Sequence, residues 1–279
     1  MTVIHALTVD LEEWYHSELV EGRRSSVARV TEATRPILDL LDRYQAKASF
    51  FVVGEVAEQH PDLIRSIFQR GHEIGCHGFS HKLLWQLDES LFREELHRFH
   101  SVMEGILGKI KIKGFRAPCF SLDHRTKWAL RVLLDFGYQY DTSIFPVKSS
   151  PLYGISGAPI YPYRISAEDL REEDPQSPLI EFPVSLLTLG KLRIPIAGGG
   201  YFRMYPLPLL YWGLKRMSRQ HAFLIYFHPW EGDPNTPRLK LSTLNRIRSY
   251  YGVPGALRKL EFLLKHFNFT RVDRLLGLI

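Results

Sequence analysis

The chain has 279 residues, enough for one large domain with a sizeable buried core, and its 45% hydrophobic and 24% charged residues are the balance of an ordinary globule. No apolar run approaches the length that spans a bilayer, and two cysteines, Cys76 and Cys119, leave no room for a disulfide framework and point to a reducing compartment. The formal charge of +6 is uneven. Arg238 to Ile279 holds nine Lys or Arg against Glu261 and Asp273, which predicts a solvated basic face or a peripheral contact with a membrane or anionic glycan; no motif for nucleic-acid binding is present.

In chain order, Val3 to Val9 reads as a buried strand that delivers Asp10 at its C-terminal end. Glu32 to Tyr44 carries Ile37, Leu38, Leu40, Leu41 and Tyr44 at helical spacing. Ala48 to Val53 is a second strand, stopped by Gly54. Pro61 to Arg70 suits a helix, with Pro61 in its first turn and Gly71 just past its end. His72 to Cys76 is a third strand. Asp88 can cap a long helix holding Leu91, Leu96, Phe99, Met103 and Leu107. Gly114 to Arg116 is a brief strand, Asp123 to Phe136 a helix ended by Gly137, Leu224 to Phe227 an apolar strand, and Pro254 to Phe267 a helix followed by a strand at Thr270 to Asp273.

Strands alternating with helices imply an α/β fold, with parallel strands covered by helices. About seven units fit, which predicts a distorted (β/α) barrel in one domain, 1–279. Residues 146–183, rich in Pro, Gly, Ser and Tyr, break the rhythm as an irregular insertion. Met1 to Asp10 lacks a basic segment followed by an apolar stretch and a cleavage site, so the expectation is a cytoplasmic protein, peripheral to the inner membrane face if the basic segment binds there.

In parallel α/β barrels the chemistry gathers where strands end. Four polar clusters fall there: Asp10-Leu11-Glu12-Glu13-Trp14, His77-Gly78-Phe79-Ser80-His81, Arg116-Ala117-Pro118-Cys119-Phe120 and His228-Pro229-Trp230-Glu231. Two histidines four apart present both imidazoles to one metal if their segment turns helically, and a carboxylate from another strand end completes a two-His, one-carboxylate site. Each cluster has a plainer reading: surface histidines, an Asp helix cap, an ordinary ion pair, a core histidine. All four readings would have to hold at once. Gly198-Gly199-Gly200 is no phosphate loop, since no helical pattern directly follows it and no Lys-Ser/Thr closes it.

The order of these clusters resembles the polysaccharide deacetylases of carbohydrate esterase family 4, with the NodB-homology domain. The family's T-F-D-D is matched loosely by Thr8-Val9-Asp10-Leu11-Glu12, its H-S/T-x-x-H by His77 to His81, its R-x-P by Arg116-Ala117-Pro118, and its terminal L-H by Phe227-His228. A closer resemblance is to the branch associated with bacterial exopolysaccharide gene clusters, through Asp10 to Trp14, Gly71 to His81, Phe115 to Ser121, Tyr140 to Pro146, Ala197 to Arg203 and His228 to Glu231. Three departures stand out. Leu11 replaces the second Asp, which makes Glu12 the third metal ligand with Glu13 as its rival. Gly78 replaces the Ser or Thr of the second motif. Asp141 is the nearest counterpart of the fourth motif's Asp.

The resemblance implies hydrolysis of the N-acetyl amide of N-acetylhexosamine units in an exopolysaccharide, cell-wall glycan or precursor. One divalent metal, zinc with cobalt or nickel as alternatives, would be held by Glu12, His77 and His81 and would activate a water. Asp10 would be general base, Arg116 its orienting partner, and His228 the acid for the leaving amine. A backbone N–H near Cys119 or Phe120 would help hold the oxyanion. Trp14, Pro118, Phe120, Tyr201 and Trp230 would line the sugar site. The alternatives are a same-fold hydrolase of a non-sugar or cyclic amide, and an inactive glycan-binding module.

Overall fold

The pleat of β1 (Ile4–Leu11) sorts the chain into two faces. Leu7, Val9 and Leu11 point to the large apolar core between sheet and helices, whereas Ala6 belongs to a smaller cluster on the concave side. Alternate residues of a strand share a face, so Thr8, Asp10 and, just past the strand end, Glu12 line up on the concave side too. The computed structural model describes residues 3–17, 27–148 and 153–279.

Around β1 are α1 (Val30–Arg43), β2 (Ser49–Val52), α2 (Gly54–Gln59), α3 (Pro61–Gln69), β3 (Glu73–Cys76), α4 (Glu89–Leu107), β4 (Gly114–Phe115), α5 (Ala129–Asp135) and β5 (Tyr140–Asp141). Then come β6 (Tyr163–Arg164), β7 (Ile180–Glu181), the hairpin β8 (Leu186–Leu189) and β9 (Leu192–Pro195), α6 (Gly199–Met204), α7 (Leu207–Ser218), β10 (Leu224–Phe227), α8 (Thr243–Tyr250), α9 (Val253–His266), β11 (Asn268–Thr270) and α10 (Val272–Leu275). The main sheet runs β10-β1-β2-β3-β4-β5-β7-β6, with β11 also on β1. Every pairing is parallel except β6 with β7. The sheet curls into a half-barrel of the NodB type, open between β10 and β6 rather than closed.

The register sets the C-terminal strand ends side by side. Asp10 pairs with Phe51, Val52 with Cys76, Cys76 with Phe115, and Val9 with Phe227. Asp10, His77, Arg116 and His228 therefore leave neighbouring strands at one rim.

The structure departs from the sequence reading in five places. The helix expected from Asp123 begins only at Ala129. Asp123 Oδ1 accepts from the Arg125 N–H and Thr126 Oγ1 bonds to the carbonyls of Ser121 and Asp123, so local side-chain bonds hold a turn instead. The strand expected over Thr270 to Asp273 stops at Thr270 and α10 follows. Its first N–H groups, of Val272 and Asp273, donate to Ser49 Oγ and Glu73 Oε2 on the barrel floor. Within 146–183, β6 and β7 join the main sheet, so part of the insertion is regular; 149–152 lie outside the described residues. A helix, α6, does start within Gly198-Gly199-Gly200, although it lasts only six residues. The Asp88 cap is present, its Oδ1 accepting from the Leu91 N–H at 2.8 Å, but Leu91 itself is exposed and Phe92 takes the core position.

Candidate active site

The concave rim encloses a cavity of about 460 Å³. Asp10, Glu12, His77, His81, His228, Phe120, Tyr201 and Trp230 all line it. Arg116 stands behind the wall, fully buried. Trp14 and Pro118 are not among the lining residues: both are buried, and the Trp14 indole N–H donates to the Val27 carbonyl at 3.0 Å. Asp141 is fully buried in β5, where Ser143 Oγ donates to it at 2.6 Å, away from the cavity.

His77 and His81 meet without a helix. Gly78 (φ 75) and His81 (φ 58) bend the loop through left-handed conformations and bring the two rings to 5.1 Å between centroids. The positive φ suits Gly at 78, whatever residue relatives carry there. Glu95 of α4 clamps this loop: Oε2 accepts from the N–H groups of Phe79 (2.9 Å) and Ser80 (2.8 Å), and Oε1 from Ser80 Oγ at 2.7 Å.

Donor atoms of Glu12, His77 and His81 all lie within 4.8 Å of one another. His81 Nε2 is 2.6 Å from Glu12 Oε2, yet makes no well-formed hydrogen bond and is buried from solvent. His77 Nδ1 lies 2.7 Å from the Arg116 carbonyl, which can only accept; Nδ1 therefore carries the proton and Nε2 offers its lone pair. The Trp230 indole N–H donates to Glu12 Oε1 at 3.1 Å. Two imidazole nitrogens and one carboxylate oxygen converge, with His77 and Glu12 each steadied from behind, and the set fits a divalent cation. Glu13 is occupied elsewhere. Its carboxylate accepts from the N–H groups of Arg29 and Val30 at the start of α1, so Glu12 is the acid in the cluster.

Asp10 Oδ1 is paired with Arg116 Nη1 in a fully buried ion pair. The same guanidinium donates to Thr8 Oγ1 and to the Thr142 carbonyl and hydroxyl, and lies 4.3 Å above the Phe51 ring. With its partners fixed, Arg116 holds the Asp10 carboxylate in one orientation. The other Asp10 oxygen is 3.7 Å from His228 Nε2, as is Glu12 Oε1.

His228 has a second chain of partners behind it. Its Nδ1 sits 3.0 Å from Glu231 Oε2, and Glu231 Oε1 accepts from Arg203 Nε at 2.7 Å. Burial opposes a charged imidazole, but Glu12, Glu231 and Asp10 outweigh it and raise the His228 pKa to about 9. At His77 burial prevails and lowers the pKa to about 4, which suits a neutral ligand. Burial would raise the Glu12 carboxyl; His81, His228 and His77 together pull it well below its usual range.

Sequence reasoning missed Glu231, Arg203 and Glu95. Glu231 and Arg203 stand inside the matched stretches His228 to Glu231 and Ala197 to Arg203, where a charged residue among aromatic and small neighbours was the available signal. Nothing local marks Glu95, which reaches its loop from sixteen residues away. In the turn after Arg116, Cys119 (φ 50) and Phe120 (φ 52) both take positive φ, and the Phe120 N–H donates to the Ala117 carbonyl at 3.0 Å, which favours Cys119 over Phe120 among the two expected oxyanion donors.

Residues 22–140 match the polysaccharide deacetylase family, and residues 142–277 match a domain of unknown function (DUF3473). A peptidoglycan-N-acetylglucosamine deacetylase of Bacillus cereus is 34% identical over 99 residues, 35% of this chain and 36% of that protein. A peptidoglycan deacetylase-like protein of Gibberella zeae is 32% identical over 144 residues, 50% of this chain and 41% of the other. The chain thus spans well under half of these relatives' lengths. In fold it is similar to a Mycobacterium smegmatis protein assigned as a polysaccharide deacetylase, with a TM-score of 0.66 at 20% identity over 100% of this chain and 90% of that one.

Proposed function

We propose that this protein, whose residues 22–140 match the polysaccharide deacetylase family, is a metal-dependent hydrolase of the N-acetyl amide of N-acetylhexosamine units in an exopolysaccharide, cell-wall glycan or precursor. One observation carries the reading: a metal-fitted triad and an acid–base pair share one cavity, with His228 Nε2 3.7 Å from both Asp10 and Glu12. A glycan-binding module has no use for a buried base, its guanidinium partner and an acid within reach of each other.

A divalent ion on Glu12, His77 and His81, zinc by ligand preference with cobalt or nickel as alternatives, would supply Lewis-acid polarisation of the acetyl oxygen and a readily deprotonated water. Asp10 accepts the proton of the attacking water, aimed by Arg116. His228 delivers a proton to the departing sugar nitrogen, with Glu231 fixing its ring. Phe120, Tyr201 and Trp230 form the walls against which sugar rings pack. The whole of 1–279 acts as one catalytic domain in this reading, supported by β10 and β11 of the second half pairing with β1 of the first. The cytoplasm is the proposed compartment, in keeping with a chain of two cysteines that form no disulfide with each other.

The test is acetate release from a panel of N-acetylated oligosaccharides. Wild type should release acetate from at least one, and Asp10→Asn should do so about 10²–10⁴-fold more slowly. Release from none of the panel, or equal rates for the two proteins, would overturn the proposal.

A further inference from the structure

Between Pro234 and Leu260 the chain has no Asp or Glu, yet it carries Arg238, Lys240, Arg246, Arg248, Arg258 and Lys259. Arg238, Lys240, Arg246 and Arg248 are exposed, and among the described residues none of these four forms an ion pair. On α8 the same surface carries large apolar side chains. Leu244 is 58% exposed and Ile247 43%, with Tyr251 just past the helix and Met204 beside them at 58% and 45%. Leu244, Ile247 and Met204 also line the catalytic cavity. Its outer wall is thus aliphatic and open to solvent. Aliphatic side chains offer a sugar ring no stacking face, and a solvated basic helix has no need of them.

We propose that α8 and the irregular segment before it form a docking face for a lipid bilayer with anionic headgroups, seating the cavity mouth against the membrane surface. Basic residues flanking exposed Leu and Ile on one short helix are the composition that places a helix in the headgroup plane, apolar side down. The face is held as one unit. The Tyr250 hydroxyl accepts from the Leu239 N–H at 2.9 Å and donates to the Pro237 carbonyl, and the Arg238 guanidinium lies 5.8 Å over the Tyr250 ring. It is also fixed relative to the chemistry. Arg203, which pairs with Glu231, donates to the carbonyls of Arg248 (2.7 Å) and Tyr251 (2.6 Å) at the end of α8. A bilayer under α8 would present membrane-attached saccharide to the cavity; that extension rests on the deacetylase reading, whereas the docking itself does not.

The experiment is co-sedimentation of the full chain with phosphatidylcholine vesicles and with vesicles containing phosphatidylglycerol, at low and high salt. Hydrogen exchange of the wild type is followed in parallel. The expected result is binding that needs phosphatidylglycerol, weakens with salt, and protects amides within 234–251. Arg238→Ser/Lys240→Ser/Arg246→Ser should lower the partition coefficient on the order of 100-fold, at about fivefold per charge. Leu244→Ser/Ile247→Ser should remove the part that survives high salt. No binding by wild type, protection elsewhere, or unchanged binding by both variants would overturn the proposal. So would binding to a soluble polyanionic glycan in place of vesicles, which would make the face a polysaccharide site. Acetate release by a wild type that binds no vesicles would sink the docking alone; vesicle binding by a wild type that releases no acetate would sink the deacetylase reading alone.

Discussion

Glu231 grips His228 from behind: its Oε2 lies 3.0 Å from Nδ1 and also accepts from the His228 backbone N–H at 3.1 Å. The ring can therefore neither rotate nor exchange its tautomer freely, and Nε2 stays pointed at Asp10 and Glu12. Arg203 holds Glu231 in turn, and counters the burial that would otherwise raise the Glu231 carboxyl.

That arrangement fixes the sign of an alkaline limb. A His whose pKa is raised is charged below it, so acid catalysis by His228 is present below and lost as pH climbs through it. Its carboxylate neighbours raise the His228 pKa to about 9, so the limb should fall near there, and a cation on Glu12 would offset part of the pull and move it lower. Glu231→Gln keeps the shape and removes one negative charge. It should bring the limb down by about one pH unit, equivalent to about 1.4 kcal/mol, in a pH–kcat profile. An unmoved limb would mean that Glu231 does not set the acid.

The metal triad separates Glu12 from Glu13. Glu12→Ala, His77→Ala and His81→Ala should each lose metal by elemental analysis, where wild type should hold about one divalent ion per chain. Glu13→Ala should keep its metal and lose about 1–2 kcal/mol of stability, because two N–H groups at the start of α1 lose their acceptor. Metal loss in Glu13→Ala with none in Glu12→Ala would reverse the assignment.

Glu95 offers a test of the loop clamp. Glu95→Ala frees three donors on Phe79 and Ser80, between the two histidines. Metal affinity should fall about 10–100-fold, as it does when support behind metal ligands is removed, with the far-UV spectrum unchanged. Unaltered affinity in a competition titration would show that the loop holds its shape without it.

A second carboxylate governs stability rather than catalysis. On the barrel floor, burial and the nearby Asp273 raise Glu73 to about 7. Below about 4.5 the folded and unfolded carboxyls are both protonated. As pH rises toward 7 the unfolded chain gives up its proton while Glu73 keeps it, so this contribution to stability is progressively lost. Glu73→Gln should remove that loss, up to about 3 kcal/mol. Denaturant melts of both proteins at pH 4.5 and 8 would reveal it as a difference in slope; parallel pH dependence would refute it.

The rim clusters were legible because chemistry at strand ends is dense in rare residue types, and the strands themselves because their apolar runs are continuous. Leu224–Phe227 appears at its expected bounds. Glu12 is legible too once the pleat is followed: Asp10 and Glu12 share a face while Leu11 turns to the core. Less accessible was whatever depends on long-range partners. α10 replaces a strand because Ser49 and Glu73 wait for its N–H groups, and two-residue strands such as β5 and β7 have too few side chains to show any period. Trp14 carried an aromatic signal that fits a sugar wall and a buried packing position equally well, and only the position of the Val27 carbonyl decides between them.

The most direct measurement is acetate release per chain from an active N-acetylated oligosaccharide, before stripping with chelator, after stripping, and after return of one equivalent of zinc. Release should vanish on stripping and recover on return, in wild type but not in His77→Ala. Full activity in demonstrably metal-free protein would contradict the account, since the triad of Glu12, His77 and His81 would then have no part in the reaction.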